Sequence, residues 1–317
     1  MTVLTHPDPD RYRNIVIRYC AATRPAFLTV TIVAVILGLA VIYAAQGSIN
    51  WFRAVITMIL AVLVQAGANV LNDYHDHCNS ADNLNSHLIY PFTGGRRFIQ
   101  NGILTPRQTR LFACFLLLLA IPGGLWLSWI CGPGLLLIGI AGFFFAWSYS
   151  APPLQLMHKG WGEIAITASW LLTVIGTAYV QTPLFFWMPV AAGVSYALLV
   201  TAILFINQFP DYESDAAVKK CNWVVRLGPH NAAYGYFALI SIAGLWLILQ
   251  IGNHSLPHQS GMALISILFS LQAARQLKTF STQPHALRPA IKLTITAALI
   301  HGLLLSLMLV LSRHQLP

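Results

Sequence analysis

"NVLNDYHDHCNSADN" (residues 69–83) closes a long apolar run and gathers three aspartates, two histidines and a cysteine. The chain has nine acidic residues in all, so a third of them stand in this one stretch. The run before it starts near residue 51 and is long enough, at about 20 apolar residues, to cross a bilayer as a helix. A spanning helix that ends in carboxylates at a membrane face is the reading from which the fold follows.

Composition agrees. Of 317 residues, 57% are hydrophobic and only 9% charged, against about 25% charged in soluble domains. The whole chain reads as one all-α, polytopic membrane domain over 1–317. The net charge of +9 fits cytoplasmic loop charge in such a protein better than a nucleic-acid surface. Five cysteines occur without a CxxC pair, so no disulfide framework is implied.

Nine segments qualify as candidate spans: about 26–45, 51–71, 111–130, 133–149, 162–181, 185–207, 232–251, 261–277 and 290–311. The eighth is the weakest, because its apolar core is short before Arg275. The first run is too long for a signal-peptide core and reads as a retained helix. On this map only Arg53 and Arg313 of the eighteen basic residues fall on one side. All nine acids, Asp8, Asp10, Asp73, Asp76, Asp82, Glu163, Asp211, Glu213 and Asp215, fall on the other. The positive-inside rule makes the richly charged side cytoplasmic. The expected localisation is the inner (plasma) membrane, with segment 1–25 and the active site cytoplasmic. Loops 72–110 and 208–231 would form the active-site cap over a central cavity.

A second acidic cluster, "NQFPDYESD" (207–215), closes the sixth span as the first closes the second. Asn72 and Asp76 are four apart, as are Asn69 and Asp73, Asn207 and Asp211, and Asp211 and Asp215. Residues at that spacing share a helix face, where like charges repel. Two such clusters on neighbouring helix ends call for a cation. Hard oxygen donors at a membrane face suit Mg²⁺, which takes one or two carboxylates plus substrate phosphates. "FTGGRRF" (92–98) sets two glycines beside Arg96 and Arg97, a combination that lets backbone and guanidinium approach phosphate. Lys159 is the only basic residue of its loop and completes a cation set for a diphosphate. Apolar walls between the helices would take a hydrocarbon tail, so a polyprenyl diphosphate fits.

At these residues the chain resembles the UbiA superfamily of intramembrane aromatic prenyltransferases. "NDYHDHCNSAD", "PFTGGRRFIQNGILTP", "SYSAPPLQLMHKGWGE" and "NQFPDYESDAAVKKCNWVVRLG" are most similar to the 1,4-dihydroxy-2-naphthoate polyprenyltransferase branch of menaquinone synthesis. The resemblance implies nine helices and Mg²⁺ held by two Asp-rich motifs. Asn72, Asp76 and Asp82 take the places of the first motif, with Asp73 beside them; Asp211 and Asp215 take those of the second. It implies that Asp76, Asp211 and Lys159 are catalytic, and that Lys159, with Arg96 and Arg97, binds diphosphate; Tyr149, at the end of the fourth span, is a further candidate to orient the diphosphate. Arg24 and Asn207 are candidates for the acceptor. The implied reaction moves a polyprenyl group from polyprenyl diphosphate to 1,4-dihydroxy-2-naphthoate, with loss of CO₂, to give demethylmenaquinone.

Two departures stand out. Histidines 75 and 77 replace aromatic residues, and Lys219, Lys220, Cys221 and Asn222 stand where the branch has Gly-Lys and a threonine. His75, His77 and Cys78 also resemble a partial zinc site, although zinc needs four fixed ligands. His301 reads as an interhelical hydrogen bonder, and Glu163 as an anchor at a helix start. Prenylation of 4-hydroxybenzoate or homogentisate is the alternative within the superfamily. An ion-coupled transporter is the alternative outside it, though transporter sites lie near the midplane. A CDP-alcohol phosphotransferase would need a DG…AR segment, absent here.

Overall fold

Pro25 and Gly47 bracket the first long helix for opposite reasons. Proline at a helix start loses no needed N–H. Gly47 adopts φ +76° after the last turn, where its N–H bonds back to Tyr43 O. Between them α2 (Pro25–Gln46) is aliphatic on every side, the pattern of a helix packed all round. A short helix, α1 (Ile15–Ala22), precedes it, capped by the Asn14 side chain.

The rest of the computed structural model repeats this logic. It describes residues 7, 9–85, 87–93 and 95–313; Asp8 lies outside them. The further helices are α3 (Trp51–Cys78), α4 (Ala81–Leu84), α5 (Pro106–Cys131), α6 (Pro133–Ser148) and α7 (Gly162–Gln181). They continue as α8 (Met188–Asn207), α9 (Tyr212–Ala217), α10 (Trp223–Gly252), α11 (Ile265–Phe280) and α12 (Arg288–Leu311). Thr105 and Gln108 form a reciprocal capping box at the start of α5. Asn222 caps α10 by accepting from Val225 N. That helix kinks at Gly228–Pro229, so the expected span at 232–251 is its second part.

Each of the nine expected spans contains an α-helix, although that at 185–207 starts only at Met188 and that at 261–277 only at Ile265. Seven helices, counting α12 with the turn before it, are long and apolar enough to cross a membrane among the described residues. Helix α6 is apolar but has only 16 residues, about 24 Å at 1.5 Å per residue against a core of about 30 Å. Helix α11 is equally short and carries Ser266, Ser270, Gln272 and Gln276. The region 208–231, expected as loop, contains α9 and the first turns of α10.

Packing follows the rules of apolar solvent, where small residues let backbones close in. A Cβ at Gly38 of α2 would come 2.8 Å from Val174 O of α7. The main core joins α2, α8, α10, α11 and α12. His301 is fully buried within it, bonded to Ser195 Oγ of α8 at 3.0 Å and Ser266 Oγ of α11 at 2.9 Å. It is therefore the expected interhelical clamp.

Candidate active site at the acidic helix ends

The last turns of α3 carry the first motif. Asn72 Nδ2 donates to Asp76 Oδ2 at 2.8 Å, as the four-residue spacing predicts. One step round, Asn69 Nδ2 donates to Thr23 O at 3.0 Å, and Asp73 is ion-paired with Arg24. Arg24 is held in the left-handed region at φ +57°. Burial opposes its charge, yet the Asp73 carboxylate outweighs that and raises its pKa. Asp82 arrives on α4 after the chain reverses at Ser80. Gly95 lies between the two acids: a Cβ there would meet Asp73 Oδ1 and Asp82 Oδ2, both at 2.9 Å. With φ +67° as well, the position demands glycine.

The second motif meets the first. Asp211 ends the turn after α8 and accepts from Asn85 Nδ2 at 2.6 Å. Asp215 on α9 is buried and accepts from Asn222 Nδ2 at 2.7 Å. Lys220 Nζ lies 3.1 Å from Asp215 Oδ1 and 3.9 Å from Asp76 Oδ1, so one ammonium spans both motifs. Burial alone would lower its pKa, but Asp215 and Asp76 raise it. The Lys219–Asn222 departure is thereby explained. Lys219 takes φ +59°, the conformation that suits the glycine of the branch pattern, and Lys220 and Asn222 both hold Asp215. Sequence reasoning missed Lys220 as a site residue; its place in the Gly-Lys pair was the available signal.

The other cations are arranged differently from expectation. Lys159 is exposed, and its Nζ donates to Pro153 O at 3.0 Å; the structure does not bring it to the carboxylates. Arg97 donates to Asp82 O and Asn85 O, both at 3.1 Å, bracing the loop between the motifs. Arg96 donates to Ala21 O at 2.9 Å and to Tyr90 Oη at 3.2 Å. Arg226, from the first part of α10, donates to Lys159 O at 2.7 Å and Cys221 O at 2.8 Å. It ties the 149–161 loop to the segment bearing Lys220. Glu163 accepts from Gln208 at 2.7 Å, the anchoring role expected of it.

Behind the acids runs a cavity of about 720 Å³. Arg24, Asn69, Asn72, Tyr149 and Asn207 line its acidic end, and Thr57, Leu127, Leu135 and Val180 its far end. Helices α2 and α8 border only the acidic end, whereas α3, α5, α6 and α7 enclose the rest. Among the described residues, none from Trp223 to Leu311 lines it. Burial raises the pKa of Tyr149.

The donor set fits a divalent cation that arrives with phosphate. Asp76 Oδ1 and Asn72 Oδ1 are buried without hydrogen-bond partners. Burial, then Asp76 and Asp73, push the Asp82 carboxyl well up, the strain a bound cation relieves. Among the described residues no three His, Cys, Asp or Glu converge as a ready metal centre, and His75, His77 and Cys78 form none. Such a site needs substrate oxygens to complete it.

The UbiA prenyltransferase family profile matches residues 31–294. The 2-carboxy-1,4-naphthoquinone phytyltransferase of Synechocystis sp. is 29% identical over 273 residues, covering 84% of each chain. The 1,4-dihydroxy-2-naphthoate octaprenyltransferase of Escherichia coli is 28% identical, covering 92% of this chain and 94% of that protein. The solved structure of a UbiA homolog from Archaeoglobus fulgidus bound to DMAPP and Mg²⁺ shares the fold. It superposes with a TM-score of 0.63 at 15% identity, over 91% of this chain and 99% of that one.

Proposed function

The chain belongs to the UbiA prenyltransferase family and is a multi-pass membrane prenyltransferase; from that premise we propose that it prenylates 1,4-dihydroxy-2-naphthoate. The donor is a polyprenyl diphosphate, CO₂ is lost, and the product is demethylmenaquinone in its quinol form. One observation carries the reading: two acidic motifs joined across Lys220 at the mouth of an apolar cavity. The acceptor is chosen from the two relatives, one named for 1,4-dihydroxy-2-naphthoate and the other for 2-carboxy-1,4-naphthoquinone. The whole chain, 1–317, acts as a single domain, with nine spanning helices and the 72–110 and 208–231 segments as its cap. The acidic face is cytoplasmic and the membrane is the inner one. An alkaline-phosphatase fusion in the 252–260 loop is then active, and one in the 72–110 segment silent.

Asn72, Asp76 and Asp82 on one side and Asp211 and Asp215 on the other would hold Mg²⁺ together with the diphosphate. Bound there, Mg²⁺ supplies Lewis-acid neutralisation of the charge growing on the leaving oxygen. Asp73 instead fixes Arg24. Lys220, rather than Lys159, is the ammonium assigned to the departing diphosphate, as a preorganised charge in a dry site. Lys159, Arg96 and Arg97 serve at the rim, where the two arginines also hold the loop in shape. Tyr149 offers its neutral O–H to the diphosphate at the cavity mouth. Arg24, held in place by Asp73, faces the acceptor carboxylate, with Asn207 also lining the cavity. The allylic C–O bond breaks, its electron pair leaves with the diphosphate, and a ring carbon of the acceptor supplies the new bond. Phe27, Phe92, Phe143 and Phe145 keep water from the allylic cation.

The deciding experiment is an assay of the purified, reconstituted protein with labelled prenyl diphosphates, Mg²⁺ and a panel of aromatic acids. Transfer to dihydroxynaphthoate alone is expected. It should stop with EDTA, return with Mg²⁺, and fall by orders of magnitude in Asp76→Ala and Asp211→Ala. Transfer only to 4-hydroxybenzoate or homogentisate overturns the acceptor. Near-normal activity of both variants overturns the metal roles.

A further inference from the structure

The segment Pro9–Ala22 is anchored at some points and open at others. Tyr12, in the turn before α1, meets Phe98, and Tyr19 in the second half of α1 meets Phe112, each at 4.7 Å between ring centroids, and Ala22 is buried. The first turn of α1 leaves Ile15, Val16 and Ile17 exposed at 64%, 66% and 52%. Three consecutive aliphatic residues open to water are unfavourable for so short a helix, and here they are ringed by charge. Arg11 and Arg13 are exposed and Arg18 half-buried; among the described residues before Pro25 the one acid is Asp10, which pairs with Arg13.

The end of the bundle at which α1 lies is marked independently. Trp161 and Trp223, 55% and 40% exposed, stand at the starts of α7 and α10, on the same end of the bundle as Pro25 of α2, which follows α1 closely. Exposed tryptophans at helix ends sit at the headgroup level. An apolar first turn flanked by arginines at that end has the chemistry of an interfacial helix.

We propose that Pro9–Ala22 is a membrane-surface anchor whose Ile15, Val16 and Ile17 bed into an anionic phospholipid leaflet, with Arg11, Arg13 and Arg18 at its phosphates. The anchor reaches the acidic site by three links. Ala21 O accepts from Arg96, Thr23 O accepts from Asn69, and Arg24 pairs with Asp73. The leaflet thus holds the first motif in register. Each arginine near an anionic surface favours binding by about fivefold.

The test uses the full chain in vesicles of phosphatidylcholine, with or without phosphatidylglycerol. A fluorescent amino acid placed at Val16 should be blue-shifted and quenched by brominated acyl chains, more so with phosphatidylglycerol. A water-like, unquenched emission overturns the anchor, and quenching indifferent to phosphatidylglycerol overturns the anionic preference. The coupling rests on the proposed prenyl transfer: turnover should be severalfold higher with phosphatidylglycerol. Ile15→Ser/Val16→Ser/Ile17→Ser and Arg11→Gln/Arg13→Gln should erase that difference while keeping activity in phosphatidylcholine. Equal turnover of the native chain in both vesicles overturns the coupling. The fluorescence needs no turnover, so it decides the anchor even if the acceptor assignment fails.

Discussion

Lys220 Nζ sits 3.1 Å from Asp215 Oδ1, with Asp76 Oδ1 at 3.9 Å on its other side. The ammonium is the internal counter-ion of both motifs. Lys220→Met should cut kcat/KM for the prenyl diphosphate on the order of a hundredfold, the usual cost of losing one preorganised charge. Lys159→Met should cost no more than about fivefold, as for an exposed charge. Steady-state assays of both variants check the ranking, and a larger loss at Lys159 would reverse it.

The Arg24–Asp73 pair is largely buried, with side chains only 18% and 11% exposed. Removing one partner strands a charge. Arg24→Met and Asp73→Leu should each cost about 3 kcal/mol or more, while the Arg24→Met/Asp73→Leu double variant should cost less than the sum. Denaturation of the four proteins in detergent measures the coupling. Additive losses would show that the pair does not act as a unit.

His158 should give the protein a pH-dependent stability. Asn79 Nδ2 donates to its Nε2 at 3.0 Å, which requires a neutral ring there. Burial, then the nearby Lys220, lower its pKa from the ordinary 6.5. The unfolded chain then binds more protons below 6.5, so stability rises with pH across that window and is lost as pH falls through it. The melting temperature should drop between neutral pH and pH ~5, and His158→Gln should flatten that slope.

His301 predicts loss of stability without loss of chemistry. Its Nδ1 lies 3.2 Å from Ala263 O, an acceptor only, so Nδ1 carries the proton and Nε2 accepts from Ser195. His301→Phe removes the hydrogen bonds that join α8 and α11 through the imidazole and leaves Ser195 Oγ and Ser266 Oγ only their bonds to Ala192 O and Ala263 O. About 1–2 kcal/mol should go, with turnover unchanged because the residue does not line the cavity. A large fall in kcat at unchanged stability would contradict this.

The helices and the two acidic motifs were legible because apolar length and four-residue spacing are local signals. Asn72–Asp76 came straight from helix geometry. Lys220 was not legible in the same way. Its partner Asp76 lies 144 positions earlier in the sequence, and only the fold closes that gap. Lys159 drew attention by standing alone in its loop, yet its side chain caps Pro153 O. Arg96 and Arg97 read as phosphate ligands from their glycine neighbours; the structure gives them backbone carbonyls to hold, which no spacing rule announces.

The lopsided border of the cavity has an evolutionary consequence. Residues up to Asn207 shape the hydrocarbon space, and 223–311 never touch it. Changes of tail or ring preference therefore arise in the first two-thirds of the sequence. Beyond the tie made by Arg226, residues 227–311 are a buttress that can drift, or be stiffened by design, and register its effects in lifetime rather than in choice of substrate.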